Sequence, residues 1–551
     1  MRLRYSLLTL ACAACIMGVL ILPRASVAAS SDQAGDQWWA HVRYLADDSL
    51  EGRLTGTGAY RKAADYVANQ FKQDGLQPAG TQGYFQPVKF DVQRVIASES
   101  KLILMTNNGS TNPVPLGEYA LLGSRLPQPK QITAPLIFVG YGLHIPEAKY
   151  DDFSGLDIRG KIVVYLNGGP ADISGALKAS ARSGQDFLPF LQSKGAVGTI
   201  TIQNPKSMDI PWSRLRLAAS QAGMRLADPA LADSHGPLFT ATWNPADAPI
   251  LLAGSGHKWE DLLALADAGK PLPRFPLPLS IQAQVSARTE QVESPNIIGV
   301  LPGSDPRLKN EYVVYSAHLD HVGVGEPING DKIYNGAMDN ASGIASMLEV
   351  AKTLQRQHAR LKRSVLFVAV CGEEKGLLGS RYFAAKPTVP TNAMVADLNT
   401  DMFLPIFPLN YLVVYGADES TLGDSIREAA APLDVKIIPD RQPDRNIFIR
   451  SDQYNFIRAG VPSIMPAFGA LPDSPEAKQQ AEWLRTRYHA PSDDINQPVD
   501  LAAAVKFDKI VLSVLEHVAD ANDRPQWKQG SYFRRFATQN ASAPPVTGPQ
   551  Q

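Results

Sequence analysis

Cysteine is close to absent. Of three cysteines in 551 residues, Cys12 and Cys15 stand in an N-terminal apolar leader, so a mature chain would keep only Cys371. That excludes an internal disulfide framework in any compartment. Cys371 closes the apolar run Val365-Leu366-Phe367-Val368-Ala369-Val370, where a small buried hydrophobe is the plain reading and a nucleophilic thiol the other. An excess of charge of one sign is missing too. The formal net charge is −1, which leaves no footprint for nucleic acid or another polyanion. Charged residues make up 19% against 44% hydrophobic, the balance of a globular chain with a real core. No internal repeat is visible. Proline is plentiful, at 42 residues, and favours rigid loops.

The N-terminus reads as a targeting signal. Met1-Arg2-Leu3-Arg4 is a basic start, Tyr5 to Leu22 is mainly apolar, and Ser26-Val27-Ala28-Ala29 offers small-residue cleavage sites. Residues 1–29 are therefore set apart as a signal peptide. The expectation is an exported protein, periplasmic or extracellular, with no stable membrane association after cleavage. A retained anchor is the alternative, since the apolar run approaches spanning length. Lipidation of Cys12 is the weaker reading, because Thr9 stands three residues before it.

The length implies two to four domains. Residues 30–125 are expected to begin a catalytic domain, with helices near 38–45 and 58–75. In the second, Ala63, Tyr66, Val67 and Phe71 form an apolar stripe and Gly75 suits a C-cap. Between them, Glu51-Gly52-Arg53-Leu54-Thr55-Gly56-Thr57-Gly58 lacks the Gly-Lys-Ser/Thr of a phosphate loop and reads as a tight connection. From about Gln131 the texture changes to short β-rich runs at 134–139 and 161–166, then a helix near 185–194 and a strand at 197–202. Residues 126–290 read as a small inserted domain. His144, His235 and His257 are scattered through it in no ligand pattern.

Residues 291–525 return to strand–helix alternation. Strands are predicted at 296–301, 312–317, 365–370, 393–398 and 411–415, and helices at 341–355, 376–383, 421–430 and 501–519. That pattern argues an α/β fold with a mostly parallel central sheet flanked by helices. Residues 526–551 are rich in Gln, Ser and Pro and read as a flexible tail.

Chemistry-bearing residues gather where these strands end. His318, Asp320 and His321 follow the run Tyr312-Val313-Val314-Tyr315, and Asp339 follows a Gly/Pro/Asn-rich loop. Glu373-Glu374 follows the 365–370 run, Asp401 follows the 393–398 run, and His489 sits in a loop before the last helix. Each alone has a bland reading: a turn residue, a solvated helix start, an accidental His-x-Asp. Together, on one edge of one sheet, they supply an imidazole and a carboxylate for each of two divalent cations, a shared carboxylate, and a spare acid to move a proton.

The segments His318-Leu319-Asp320, Gly336-Ala337-Met338-Asp339-Asn340-Ala341-Ser342-Gly343, Glu373-Glu374-Lys375-Gly376-Leu377-Leu378-Gly379-Ser380, Asn399-Thr400-Asp401-Met402 and Tyr488-His489 resemble the M28 metallopeptidases, dizinc aminopeptidases and their relatives. The inserted region resembles a protease-associated (PA) domain. The resemblance implies two Zn2+ per chain, with His318 and Asp401 on one ion, Glu374 and His489 on the other, and Asp339 bridging. It implies Glu373 as general base and Asp320 behind His318, its carboxylate orienting the ring. It also implies a cis peptide at Asp339–Asn340. Tyr488, or alternatively Tyr454, would donate to the developing oxyanion. The substrates implied are peptides with a free N-terminus. A carboxypeptidase or dipeptidase of the same fold is the first alternative, with Arg450 as the cation for a substrate carboxylate. A glutaminyl cyclase and a non-catalytic receptor-like binder are further ones. Sequence says nothing of oligomeric state.

Overall fold

The computed structural model describes residues 31–537, apart from 209, 220, 358 and 359. The leader and the last fourteen residues, with the expectations placed on them, lie outside the described residues. Among the described residues no helix is long and apolar enough to cross a membrane.

A central sheet carries the molecule. Its order is Gly223–Leu226, Phe85–Val95, Ala287–Leu301, Ser364–Val370, Tyr312–His318, Met394–Asn399, Ser463–Phe468, Tyr411–Tyr415, Lys436–Ile438. The middle four strands, Ser364–Val370 to Ser463–Phe468, are mutually parallel. They are almost wholly buried, which is why they read as unbroken apolar runs. On either side of these four the next pairing is antiparallel, and at the far edge Tyr411–Tyr415 and Lys436–Ile438 pair parallel again, so the sheet is parallel at its centre and mixed at its flanks. Strand Ser463–Phe468 is one that sequence reading passes over, because Pro466 demotes a run that is nonetheless buried.

Helices cover both faces. Helix Gly58–Gln73 starts where the Thr57 hydroxyl accepts the Tyr60 N–H, and buries Ala63, Val67 and Phe71. Helix Ser342–Arg356 buries ten of its fifteen residues, and helix Leu501–Asp520, capped by Asp500, lies beside it.

The inserted domain begins earlier than expected. Phe85–Val95 and Ala287–Leu301 form a long antiparallel ribbon that leaves the central sheet, and a second, eight-stranded sheet is built from the chain between them. That sheet starts at Lys101–Thr106 and ends at Arg274–Gln284. The boundary near 126 misses the strand Lys101–Thr106, a short apolar run whose Leu102 and Leu104 sit in the second core. Strand Gly223–Leu226, from within the insertion, crosses back to pair with Phe85–Val95. Near the C-terminus the expected flexible tail is ordered through Ala537. Trp527, Phe533 and Phe536 are buried with Ile449, Tyr454 and Ile457 and touch Ala176 and Ala179 of the insertion. Composition hid these aromatics among polar residues.

Candidate metal centre

Three adjacent parallel strands end at one edge, and each delivers ligand-type side chains there. Tyr312–His318 delivers His318 and the turn to His321; Ser364–Val370 leads through Cys371-Gly372 to Glu373 and Glu374; Met394–Asn399 leads to Asp401. Asp339 arrives at the start of helix Ser342–Arg356, and the Asp339–Asn340 peptide is cis, as the resemblance implies. Asn340 fastens that corner by donating to Thr400 O at 2.8 Å and accepting from Gly343 N at 3.0 Å. A Cβ on Gly343 would lie 2.3 Å from Asn340 Oδ1 and 2.7 Å from Thr400 O, so only glycine lets the helix start touch the Asp401 loop. His489 projects from the loop between helices Pro475–Thr486 and Leu501–Asp520.

The five expected ligands converge. His318 Nε2 lies 3.3 Å from Asp339 Oδ1 and 3.2 Å from Asp401 Oδ1. His489 Nε2 lies 3.2 Å from Asp339 Oδ2 and 3.1 Å from Glu374 Oε2. A sixth donor stands among them. His321 Nδ1 lies 2.7 Å from Glu374 Oε1 and 3.8 Å from Asp339 Oδ2, on a fully enclosed ring. Two donor groups suited to a metal ion follow, His318–Asp339–Asp401 and His321–Asp339–Glu374, which share Asp339. Both ring nitrogens of His321 and Glu374 Oε1 are enclosed without a hydrogen-bond partner, despite the close approach of Nδ1 to Oε1. Imidazole and carboxylate atoms that converge this closely suit a shared cation, and they are the donor chemistry of zinc.

With this geometry, the comparisons fall into place: residues 296–515 match the model for Peptidase family M28. The likeness to that family lies in these residues, which carry all the donors named above. A probable leucine aminopeptidase 2 of Aspergillus oryzae is 27% identical over 293 residues, 50% of this chain and 54% of the relative. A probable zinc metalloprotease of Pyrenophora tritici-repentis is 35% identical over 107 residues, 19% of this chain and 23% of the relative. The chain thus spans about half the length of the first and under a quarter of the second. Among solved structures, an aminopeptidase from Aneurinibacillus sp. strain AM-1 shares the fold, with a TM-score of 0.53 at 19% identity, over 90% of this chain and 96% of that one.

Electrostatically, the candidate centre draws positive charge. Burial opposes ionisation of His489, but Glu374 and Asp339 hold its imidazole up at about 10. His318 is likewise held well above its ordinary range against burial, by Asp401 and Glu373. Burial would raise Glu374 as well, yet His489 and His321 bring it well below the usual carboxylate range. Glu373 goes the other way. Burial pushes it well up, His318 opposes the rise, and Asp401 and Glu374 add to it. Two neighbouring glutamates are thereby set apart, one ionised as a ligand must be, the other ready to hold a proton.

Behind the candidate centre, backbone contacts fix the loops. His318 Nδ1 lies 3.0 Å from the main-chain oxygen of Asp320. The orienting contact expected of the Asp320 carboxylate thus comes from its backbone, while Oδ1 accepts the Glu373 N–H at 3.1 Å. Residue and neighbourhood agree with expectation; the atom does not. Asp493 accepts the N–H groups of Met338 and Asp339, at 2.9 and 3.0 Å. Arg53, fully buried, donates to the carbonyls of Leu45, Leu319, Asn335 and Gly336 at 2.6 to 3.0 Å, clamping the His318–His321 turn to the Asp339 loop. The Gly-rich stretch 51–58 is therefore a connection that also braces the centre. Tyr488 packs its ring 4.0 Å from that of His489, while Tyr454 is buried in the cluster around Trp527.

Proposed function

We propose that the protein is an exported dizinc metallopeptidase that removes N-terminal residues from peptides. The carrying observation is Asp339, common to two donor groups of imidazole and carboxylate at one end of a parallel sheet. In this reading His318 and Asp401 hold one ion, Glu374 and His489 the other, and Asp339 both, with His321 an added donor beside Glu374. When bound, the ions supply Lewis-acid chemistry, polarising the scissile carbonyl and making water more acidic.

The chain's own residues do the rest. Glu373, as its carboxylate, accepts a proton from the attacking water and returns it to the leaving amine, its burial raising its affinity for that proton. Asp320 fixes the Glu373 amide and, through its carbonyl, the His318 ring. Tyr488, its phenol raised by burial and the nearby Asp339 and Glu374, stays a neutral donor for the developing oxyanion. Arg450, the cation named for a carboxypeptidase alternative, opposes that rise in the Tyr488 phenol. The eight-stranded domain reads as the PA-type insertion, walling the approach to the centre.

The test is a panel of aminoacyl p-nitroanilides with chelator, then with zinc, cobalt or manganese restored, on wild type and Glu373→Gln. Wild type should cleave and recover with metal. Glu373→Gln should keep its metal while losing at least ~10²-fold in kcat. A Glu373→Gln enzyme within a few-fold of wild type removes the base assignment.

A further inference from the structure

We infer that a cavity beside the centre binds a carboxylate on the substrate residue flanking the scissile bond, and that Lys375 and Arg214 recognise it; this rests on the peptidase reading above. The cavity, of about 400 Å3, opens from Glu374 and His489 and is walled on its other side by the inserted domain through Arg125, Arg214, Gln221 and Met224. A peptide held at the centre can place its neighbouring residue in this cavity, because Glu374 and His489 line it.

The charges in this cavity do not balance. Arg125 is committed to Asp233, Nη2 to Oδ2 at 2.7 Å. Arg214, on the short helix Trp212–Ala218, reaches across to the loop that carries His489 and donates to the main-chain oxygens of Arg485, at 2.8 Å, and Tyr488. Both partners are neutral, and Arg214 Nε is enclosed with no partner at all. Lys375 Nζ donates to Gln221 Oε1 at 3.0 Å, which leaves two of its three N–H bonds unspent on that contact. Among the described residues no carboxylate forms an ion pair with either cation. The acidic residue that lines the cavity is Glu374, already engaged with His321 and His489.

Two half-enclosed cations face one cavity with no carboxylate paired directly to either. The charges of Glu374 and Asp320 act on Lys375, and a visiting anion would offset the cost of enclosing both cations. Apolar lining from Leu217, Met224, Val322 and Ile328 suits the body of an amino-acid residue rather than a free inorganic ion. Gly376 contributes as well. A Cβ there would lie 2.6 Å from Arg125 Nη1, so glycine lets Arg125 lie over the chain next to Lys375. The recognised group is a carboxylate from one of two sources, the free terminus of a dipeptide or the side chain of an N-terminal acidic residue.

The experiment compares kcat/KM of the zinc-loaded enzyme on Ala-Leu, Ala-Leu amide and Glu-Leu amide, for wild type, Lys375→Met, Lys375→Arg and Arg214→Met. Wild type should prefer one carboxylate substrate over Ala-Leu amide by about 10-fold, the scale of a charge-assisted hydrogen bond. Preference for Ala-Leu identifies the terminal carboxylate, and preference for Glu-Leu amide the side chain. Lys375→Met should bring that ratio to within about twofold of unity, carried in KM, with Arg214→Met lowering it too and Lys375→Arg keeping it. A wild type without preference, or a Lys375→Met enzyme that retains it, overturns the inference while leaving the peptidase reading intact. Failure of wild type to cleave any of the three overturns that reading and, with it, this one.

Discussion

His321 Nδ1 stands 2.7 Å from Glu374 Oε1, closer than His489 Nε2 stands to Glu374 Oε2, at 3.1 Å. Two imidazoles therefore compete for, or share, one carboxylate, and they differ in setting. His321 is enclosed, whereas 29% of the His489 side chain is exposed.

That difference predicts different losses. His489→Ala removes a proposed ligand at the open side of the centre and should reduce bound zinc from two ions towards one. His321→Ala, on the enclosed side, should weaken metal affinity by about 10–100-fold, as loss of a supporting partner does. Zinc counted per chain by elemental analysis, across a series of chelator concentrations, checks both. Two ions retained at wild-type affinity in His321→Ala would leave that ring a packing role only.

Arg53 should matter for folding more than for chemistry. Its guanidinium satisfies four main-chain oxygens, and burial brings its pKa down to only about 10, so it stays charged. Arg53→Met leaves those carbonyls without their donor in the interior and should cost at least ~3 kcal/mol. Arg53→Lys, with three donors and no planar fork, should recover part of this. Urea unfolding of metal-loaded and metal-free protein measures it; unchanged midpoints would contradict the brace.

Asp508 gives stability a pH dependence. Burial first, and Glu349 after it, push its carboxyl up to about 8 from 3.8, with Ser346 opposing, and Oδ1 is enclosed without a partner. The folded state therefore holds a proton that the unfolded chain releases near pH 4. Stability from this group is complete below that pH and is lost as pH rises towards 8. Asp508→Asn should flatten the decline, gaining more in urea midpoint over wild type at pH 8 than at pH 5. Equal gains at both pH values would sink the assignment.

Much of the centre was legible because its residues end buried strands, and a strand of unbroken apolar residues announces where it stops. His318, Asp339, Glu373, Glu374, Asp401 and His489 all follow that logic or the loop spacing around it. His321 stands in the same turn, but nothing in His-Leu-Asp-His tells which imidazole swings inward; spacing of three was the available signal, and backbone direction decides. Asp320 shows a subtler limit, since its carbonyl rather than its carboxylate meets the ring. Arg53 and Arg214 were illegible. Each acts on main-chain oxygens hundreds of residues away, and carbonyls leave no mark in a sequence. The early start of the insertion was hidden for a different reason, a strand of only six residues, Lys101–Thr106, that pairs with Arg274–Gln284 far along the chain.

Arg53 lies outside residues 296–515, yet three of its four acceptors lie inside them. The stretch that bears the family likeness is therefore braced from outside itself. Excised, it would carry every proposed zinc donor and still lack the guanidinium that draws Leu319, Asn335 and Gly336 together.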